Sequence, residues 1–100
     1  MVSRPFRGDR EALTERRVRI INKLGLHARP SALLVQAAAR YKSRVWIKKG
    51  DLEVNGKSIM GVMMLAAEQG SDLFFRAEGP DERELVAALA KLVGNKFNEE

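Results

Sequence analysis

Residues 17–31 read Arg17-Val18-Arg19-Ile20-Ile21-Asn22-Lys23-Leu24-Gly25-Leu26-His27-Ala28-Arg29-Pro30-Ser31, and inside this stretch one hydrophobic period replaces another. Val18 and Ile20 alternate with Arg17, Arg19 and Ile21, the two-residue repeat of a strand with one dry face. Asn22-Lys23-Leu24-Gly25 ends that strand in a turn. From Ala28 to Tyr41 the apolar positions Leu34, Ala37, Ala38 and Tyr41 recur at spacings of three and four, which predicts a helix with one buried stripe. Alanine-rich composition favours the same outcome. His27 falls at the junction as the N-cap, with Ala28, Arg29 and Pro30 in the first turn. Proline is tolerated there because the N–H it lacks would have no intrahelical partner.

Toward the C-terminus, Val45 and Ile47 alternate with Arg44, Trp46 and Lys48, and Lys49-Gly50-Asp51 turns the chain into Leu52-Glu53-Val54-Asn55. This predicts a hairpin. Ser58 is a preferred N-cap for a short second helix. Its residues Ile59, Met60, Val62, Met63, Met64 and Leu65 are too uniformly apolar to face inward together, so Val62 and Leu65 are assigned to the core and some of the others to the surface. A fourth strand follows the turn Gly70-Ser71-Asp72, with Leu73, Phe75 and Ala77 on one face, and stops at Gly79-Pro80. Asp81 then caps a third helix that carries Glu82 and Glu84 in its first turn and runs through Leu85, Leu89, Leu92 and Phe97. The order β-α-β-β-α-β-α predicts an α/β (α+β) fold, an antiparallel sheet covered on one face by helices. Element order alone leaves the strand order open, a ferredoxin-like arrangement included.

Toward the N-terminus, residues 1–15 mix Gly, Pro and charge without a sustained period and read as a flexible extension with a helical turn around Glu11–Arg16. The folded domain is then 16–100, its first strand starting near Arg17. A chain of 100 residues supports one core and no second domain. Without cysteine it has no disulfide, thiolate zinc site, iron–sulfur cluster or thiol nucleophile. Its longest apolar stretch, Ile59 to Ala67, is far shorter than the ~20 residues of a membrane span, and no secretory h-region appears, so a cytoplasmic protein is expected. The net charge of +5 is unevenly placed: neutral over 1–15, +9 over 16–57 and −4 over 58–100. The basic segment points to an anionic substrate or an acidic partner face.

His27 is the only histidine. At a helix N-terminus, free N–H groups and the dipole favour an anion and disfavour imidazolium, which leaves a neutral ring nitrogen as a nucleophile. Arg29 adds a forked cation suited to phosphate. Gly25-Leu26-His27-Ala28-Arg29-Pro30 resembles the active-site signature of the histidine-containing phosphocarrier proteins, HPr, of the phosphoenolpyruvate-dependent phosphotransferase system. Asn55-Gly56-Lys57-Ser58-Ile59-Met60-Gly61-Val62-Met63 resembles the segment carrying that family's regulatory serine.

The resemblance runs from about Arg17 to Phe97 and implies an open-faced β-sandwich with strand order 1-4-2-3 under three helices. It implies a phosphocarrier, not an enzyme in its own right. His27 would accept a phosphoryl group on Nδ1 from phosphorylated enzyme I and pass it to a IIA-type acceptor of a sugar or regulatory branch, with Arg29 positioning the group. Ser58 would be phosphorylated by a bifunctional HPr kinase/phosphorylase, and Ile59, Met60 and Met63, with Lys57, would form the docking patch. No cofactor, metal, nucleic acid or membrane span is implied, and the expected state is a monomer. Ser31 departs from the family's usual small apolar residue, and its hydroxyl is expected to face solvent in preference to donating to the phosphate.

Other readings fit the residues less well. Gly56-Lys57-Ser58 would end a phosphate-binding P-loop only with glycine at position 51, where the chain has Asp51. A small basic RNA-binding α/β domain is the rival from another class, but no two glycines stand three apart and the strands lack paired aromatics. A single-histidine hydrolase lacks any metal-ligand set or nucleophile–base–acid motif beside His27.

Overall fold

The computed structural model describes residues 14–99. In chain order these form β1 (Thr14–Arg19), α1 (Ala28–Ala38), β2 (Arg44–Lys49), β3 (Leu52–Asn55), α2 (Ile59–Met64), β4 (Asp72–Glu78) and α3 (Glu82–Gly94), followed by a 3₁₀ turn, Lys96–Asn98. The four strands make one antiparallel sheet in the order β1-β4-β2-β3, as expected, with the helices on one face.

Register explains why that face is dry. Val18 pairs with Leu73, Val45 with Ala77 and Ile47 with Phe75, so the alternating apolar residues of three strands fall on one side. They meet Leu34 of α1, Val62 of α2 and Leu85 and Leu89 of α3, all fully buried. Each such side chain contributes about 1.5–3 kcal/mol relative to exposure. The opposite face mixes charge with the exposed Phe74 and with Trp46: Arg76 lies over the Trp46 ring, 5.7 Å from its centroid, and pairs with Glu53 at 2.9 Å. Among the described residues no helix is long and apolar enough to cross a membrane.

Three expectations are corrected. The first strand begins at Thr14, so Thr14, Glu15 and Arg16 are extended where a helical turn was expected. Pairing with Ala77, Arg76 and Phe75 of β4 decides this, because a ladder outweighs a weak local helical preference. The remainder of the expected 1–15 extension, residues 1–13, lies outside the described residues.

The first helix ends at Ala38, with Tyr41 packed against the core from the following turn. The third helix ends at Gly94 and does not run through Phe97. Gly94 and Asn95 are poor helix continuers, and Lys96, Phe97 and Asn98 take left-handed φ values of 55°, 55° and 61°. Phe97 is nonetheless fully buried, turned inward from a reversed segment.

Asp81 is the N-cap of α3, but its side chain makes no capping bond. Its carboxylate instead accepts from the Lys42 and Ser43 backbone N–H groups at 3.0 and 2.9 Å and from the Ser43 hydroxyl. The Ser43 hydroxyl and the Lys42 amide hold its pKa below the ordinary value of 3.8.

Candidate functional site

The loop between β1 and α1 is fastened at each step. Asn22 is fully buried and donates from Nδ2 to the Gly25 carbonyl at 2.9 Å, while the Gly25 N–H donates back to the Asn22 carbonyl at 3.2 Å. Gly25 has φ +69°, and a Cβ there would collide with the Ala67 backbone. The Leu26 N–H donates to that same Ala67 carbonyl at 2.8 Å, which ties the loop to the chain leaving α2. His27 follows as the N-cap of α1, in extended conformation, with its carbonyl accepting from Ser31 N–H at 3.0 Å. Its side chain makes no capping bond, so the imidazole is not consumed in ending the helix.

The ring has another partner. His27 Nε2 lies 2.7 Å from Glu99 Oε2, and Glu99 Oε1 accepts from Asn22 Nδ2 at 2.9 Å. The His27 side chain is 38% exposed and that of Glu99 only 11%, so the carboxylate is the more buried member of the pair. A cavity of about 520 Å³ opens here, lined by Lys23, Leu24, His27, Arg29, Asn98 and Glu99. Arg29 is exposed and makes no hydrogen bond or ion pair among the described residues. With Pro30 lacking an N–H, the first amides of α1 also belong to this end of the helix. A nucleophilic nitrogen, two cationic side chains and a helix N-terminus suit a phosphoryl group.

The other expected residues are distributed as follows. Ser31 is fully buried and its hydroxyl donates to the Leu26 carbonyl at a long 3.4 Å, so it neither faces solvent nor reaches toward the cavity. The i−5 carbonyl of the tight turn draws it inward. Ser58 caps α2, its Oγ accepting from Gly61 N–H at 3.0 Å. Ile59, Met60, Met63 and Met64 are exposed, Met60 at 74%, whereas Val62 and Leu65 are buried, as the crowding of apolar residues required. Helix α2 packs against α1, the helix that His27 opens. Lys57 is drawn aside: its Nζ donates to the Tyr41 carbonyl at 2.7 Å.

Sequence reasoning missed Glu99, Asn22 and Lys23 at this site. Lys23 was within reach, being a cation four residues before His27, but Asn22 read only as a turn former. Glu99 carried no local signal, because 72 positions separate it from His27.

Comparison with known proteins agrees with this geometry. The family model described as the PTS HPr component phosphorylation site matches residues 14–95. The chain is 51% identical over 83 residues to the phosphocarrier protein HPr of Treponema pallidum, covering 83% of this chain and 94% of that protein. The crystal structure of HPr-C-His from Thermoanaerobacter tengcongensis superimposes with a TM-score of 0.84 at 48% identity, covering 87% of this chain and 98% of that one. The HPr of Bacillus anthracis superimposes with a TM-score of 0.79 at 44% identity, covering 83% and 99%. On this fold and this likeness the chain belongs to the HPr family, the cytoplasmic phosphocarriers of the phosphotransferase system, which relay a phosphoryl group through phosphohistidine and are not themselves enzymes.

Proposed function

We propose that His27 is the phosphoacceptor, taking a phosphoryl group on Nδ1 from phosphorylated enzyme I and delivering it to a IIA-type acceptor. The observation that carries this reading is the imidazole at the N-cap of α1, unused as a cap and part of a cavity shared with Lys23 and Arg29. In the transfer the Nδ1 lone pair bonds to phosphorus. The bond between phosphorus and its donor on enzyme I breaks, and its electron pair leaves with the donor. Arg29 and the α1 amides face the phosphoryl oxygens as charge redistributes. Delivery to the acceptor runs the same step in reverse at Nδ1.

Ile59, Met60 and Met63 supply an apolar, adaptable docking patch for these partners, and Leu24, also exposed, lines the cavity at His27. The basic segment 16–57 forms a rim for acidic partner faces. Ser58 is the regulatory position, phosphorylated by an HPr kinase/phosphorylase. Added phosphate there brings about −1.5 to −2 of charge to the edge of an apolar patch. Helix α2 tolerates the charge at its N-terminus, but a docking partner with an acidic face does not.

Intact mass after incubation with enzyme I and phosphoenolpyruvate tests the phosphoacceptor. One acid-labile phosphoryl group on wild type and none on His27→Ala is expected. Unmodified wild type in the presence of active enzyme I removes the assignment.

A further inference from the structure

We propose that Glu99 is a positioning residue for phosphoryl transfer: its carboxylate, oriented by the buried amide of Asn22, receives the Nε2–H of His27 and presents Nδ1 as the nucleophile. This rests on the reading of His27 as phosphoacceptor. The inference comes from counting donors and acceptors. Asn22 Nδ2 spends both its hydrogens, one on the Gly25 carbonyl at 2.9 Å and one on Glu99 Oε1 at 2.9 Å. Turning the amide over would aim Oδ1 at two acceptors, so its orientation is fixed. Oδ1 is itself buried without a partner among the described residues, so the side chain bonds through its donor end alone.

A carboxylate offers acceptors only. With Oε1 taken by Asn22, Oε2 at 2.7 Å from Nε2 requires the ring to carry its proton on Nε2. Nδ1 is then the nitrogen with the free lone pair. As the Nδ1–P bond forms, positive charge develops on the ring, and the carboxylate is already in place to stabilise it, as in other carboxylate–histidine pairs. No proton leaves Nε2 during the step. Glu99 is delivered to this position by the left-handed turn Lys96–Asn98, with Phe97 buried as its anchor.

Replacing Glu99 by Gln and by Ala separates orientation from mere packing. The Gln oxygen must answer Asn22, so its amide N–H₂ faces Nε2 and forces the proton onto Nδ1. Ala imposes no tautomer. Imidazole ¹⁵N shifts of His27, recorded in neutral-ring conditions, should therefore show Nε2–H in wild type and predominantly Nδ1–H in Glu99→Gln. The turnover of phosphorylation by enzyme I should fall about 10–100-fold in Glu99→Gln with KM for this protein unchanged, and less in Glu99→Ala. A Gln variant that keeps Nε2–H and wild-type turnover, or one no slower than Ala, overturns the proposal. Wild type that is never phosphorylated overturns the phosphoacceptor reading and this proposal with it, whereas phosphorylated wild type with an indifferent Gln variant overturns this proposal alone.

Discussion

Gly25 lies so close to the carbonyl of Ala67 that no Cβ fits between them, and the Leu26 N–H donates to that same carbonyl at 2.8 Å. The histidine-bearing loop is thus fastened to the exit of α2, the helix with the exposed methionines. Gly25→Ala must accept a left-handed φ and push the Ala67 backbone aside. A stability loss of about 2–4 kcal/mol in urea denaturation is expected from the two costs together. Phosphorylation by enzyme I should also slow, because small displacements of a reacting group are costly. Wild-type stability in this variant would show the two segments to be independent.

Ser58 has a structural task and a proposed regulatory one, and two substitutions separate them. Ser58→Ala removes the oxygen that accepts from Gly61 N–H, and should cost about 0.5–2 kcal/mol while leaving transfer to the folded protein intact. Ser58→Asp keeps an acceptor at the cap but adds charge beside Ile59 and Met60. It should be close to wild type in stability and slower in accepting a phosphoryl group from enzyme I. Thermal unfolding and phosphorylation rates measured on both variants check the pattern, and an unchanged rate in Ser58→Asp leaves Ser58 a cap alone.

The Asp81 carboxylate links the start of α3 to the segment entering β2. Hydrogen bonds from Ser43 and Lys42 stabilise its ionised form and lower its pKa from the ordinary 3.8. A depressed folded-state pKa adds stability that is fully present above the unfolded value and is lost as pH falls through the folded one. The stability difference between wild type and Asp81→Asn should therefore be constant near neutrality and shrink below about pH 4. Denaturation midpoints across that range measure it. A difference that grows on acidification contradicts the assignment.

Alternation and capping made most of this architecture legible. Val18, Val45, Ile47, Leu73, Phe75 and Ala77 showed the dry face of the sheet, and the excess of apolar residues after Ser58 showed that α2 must expose some of them. Strand order came from resemblance, since periodicity says nothing about which strands pair. The start of β1 was hidden because Thr14, Glu15 and Arg16 have no apolar alternation, and only pairing with β4 makes them a strand. Phe97 was misplaced because it lies four residues after Val93, on the stripe a continuing helix would have buried. That same error hid Glu99, whose position depends on the chain leaving α3 at Gly94.

Phe97 therefore tests how the C-terminal segment serves the site. Its ring is fully buried although its backbone, with that of Lys96 and Asn98, is left-handed, a conformation that non-glycine residues adopt at a cost of about 1–2 kcal/mol each. Burial of the ring is the compensation. Phe97→Ala should lose about 3–5 kcal/mol, and Phe97→Leu appreciably less. Under conditions where both remain folded, the Ala variant should release the turn and withdraw Glu99 from His27, so the imidazole ¹⁵N shifts should approach those of Glu99→Ala. The Leu variant should retain wild-type shifts. If Phe97→Ala is destabilised but its imidazole is unchanged, Asn22 alone holds Glu99 in place and the buried ring serves only the core.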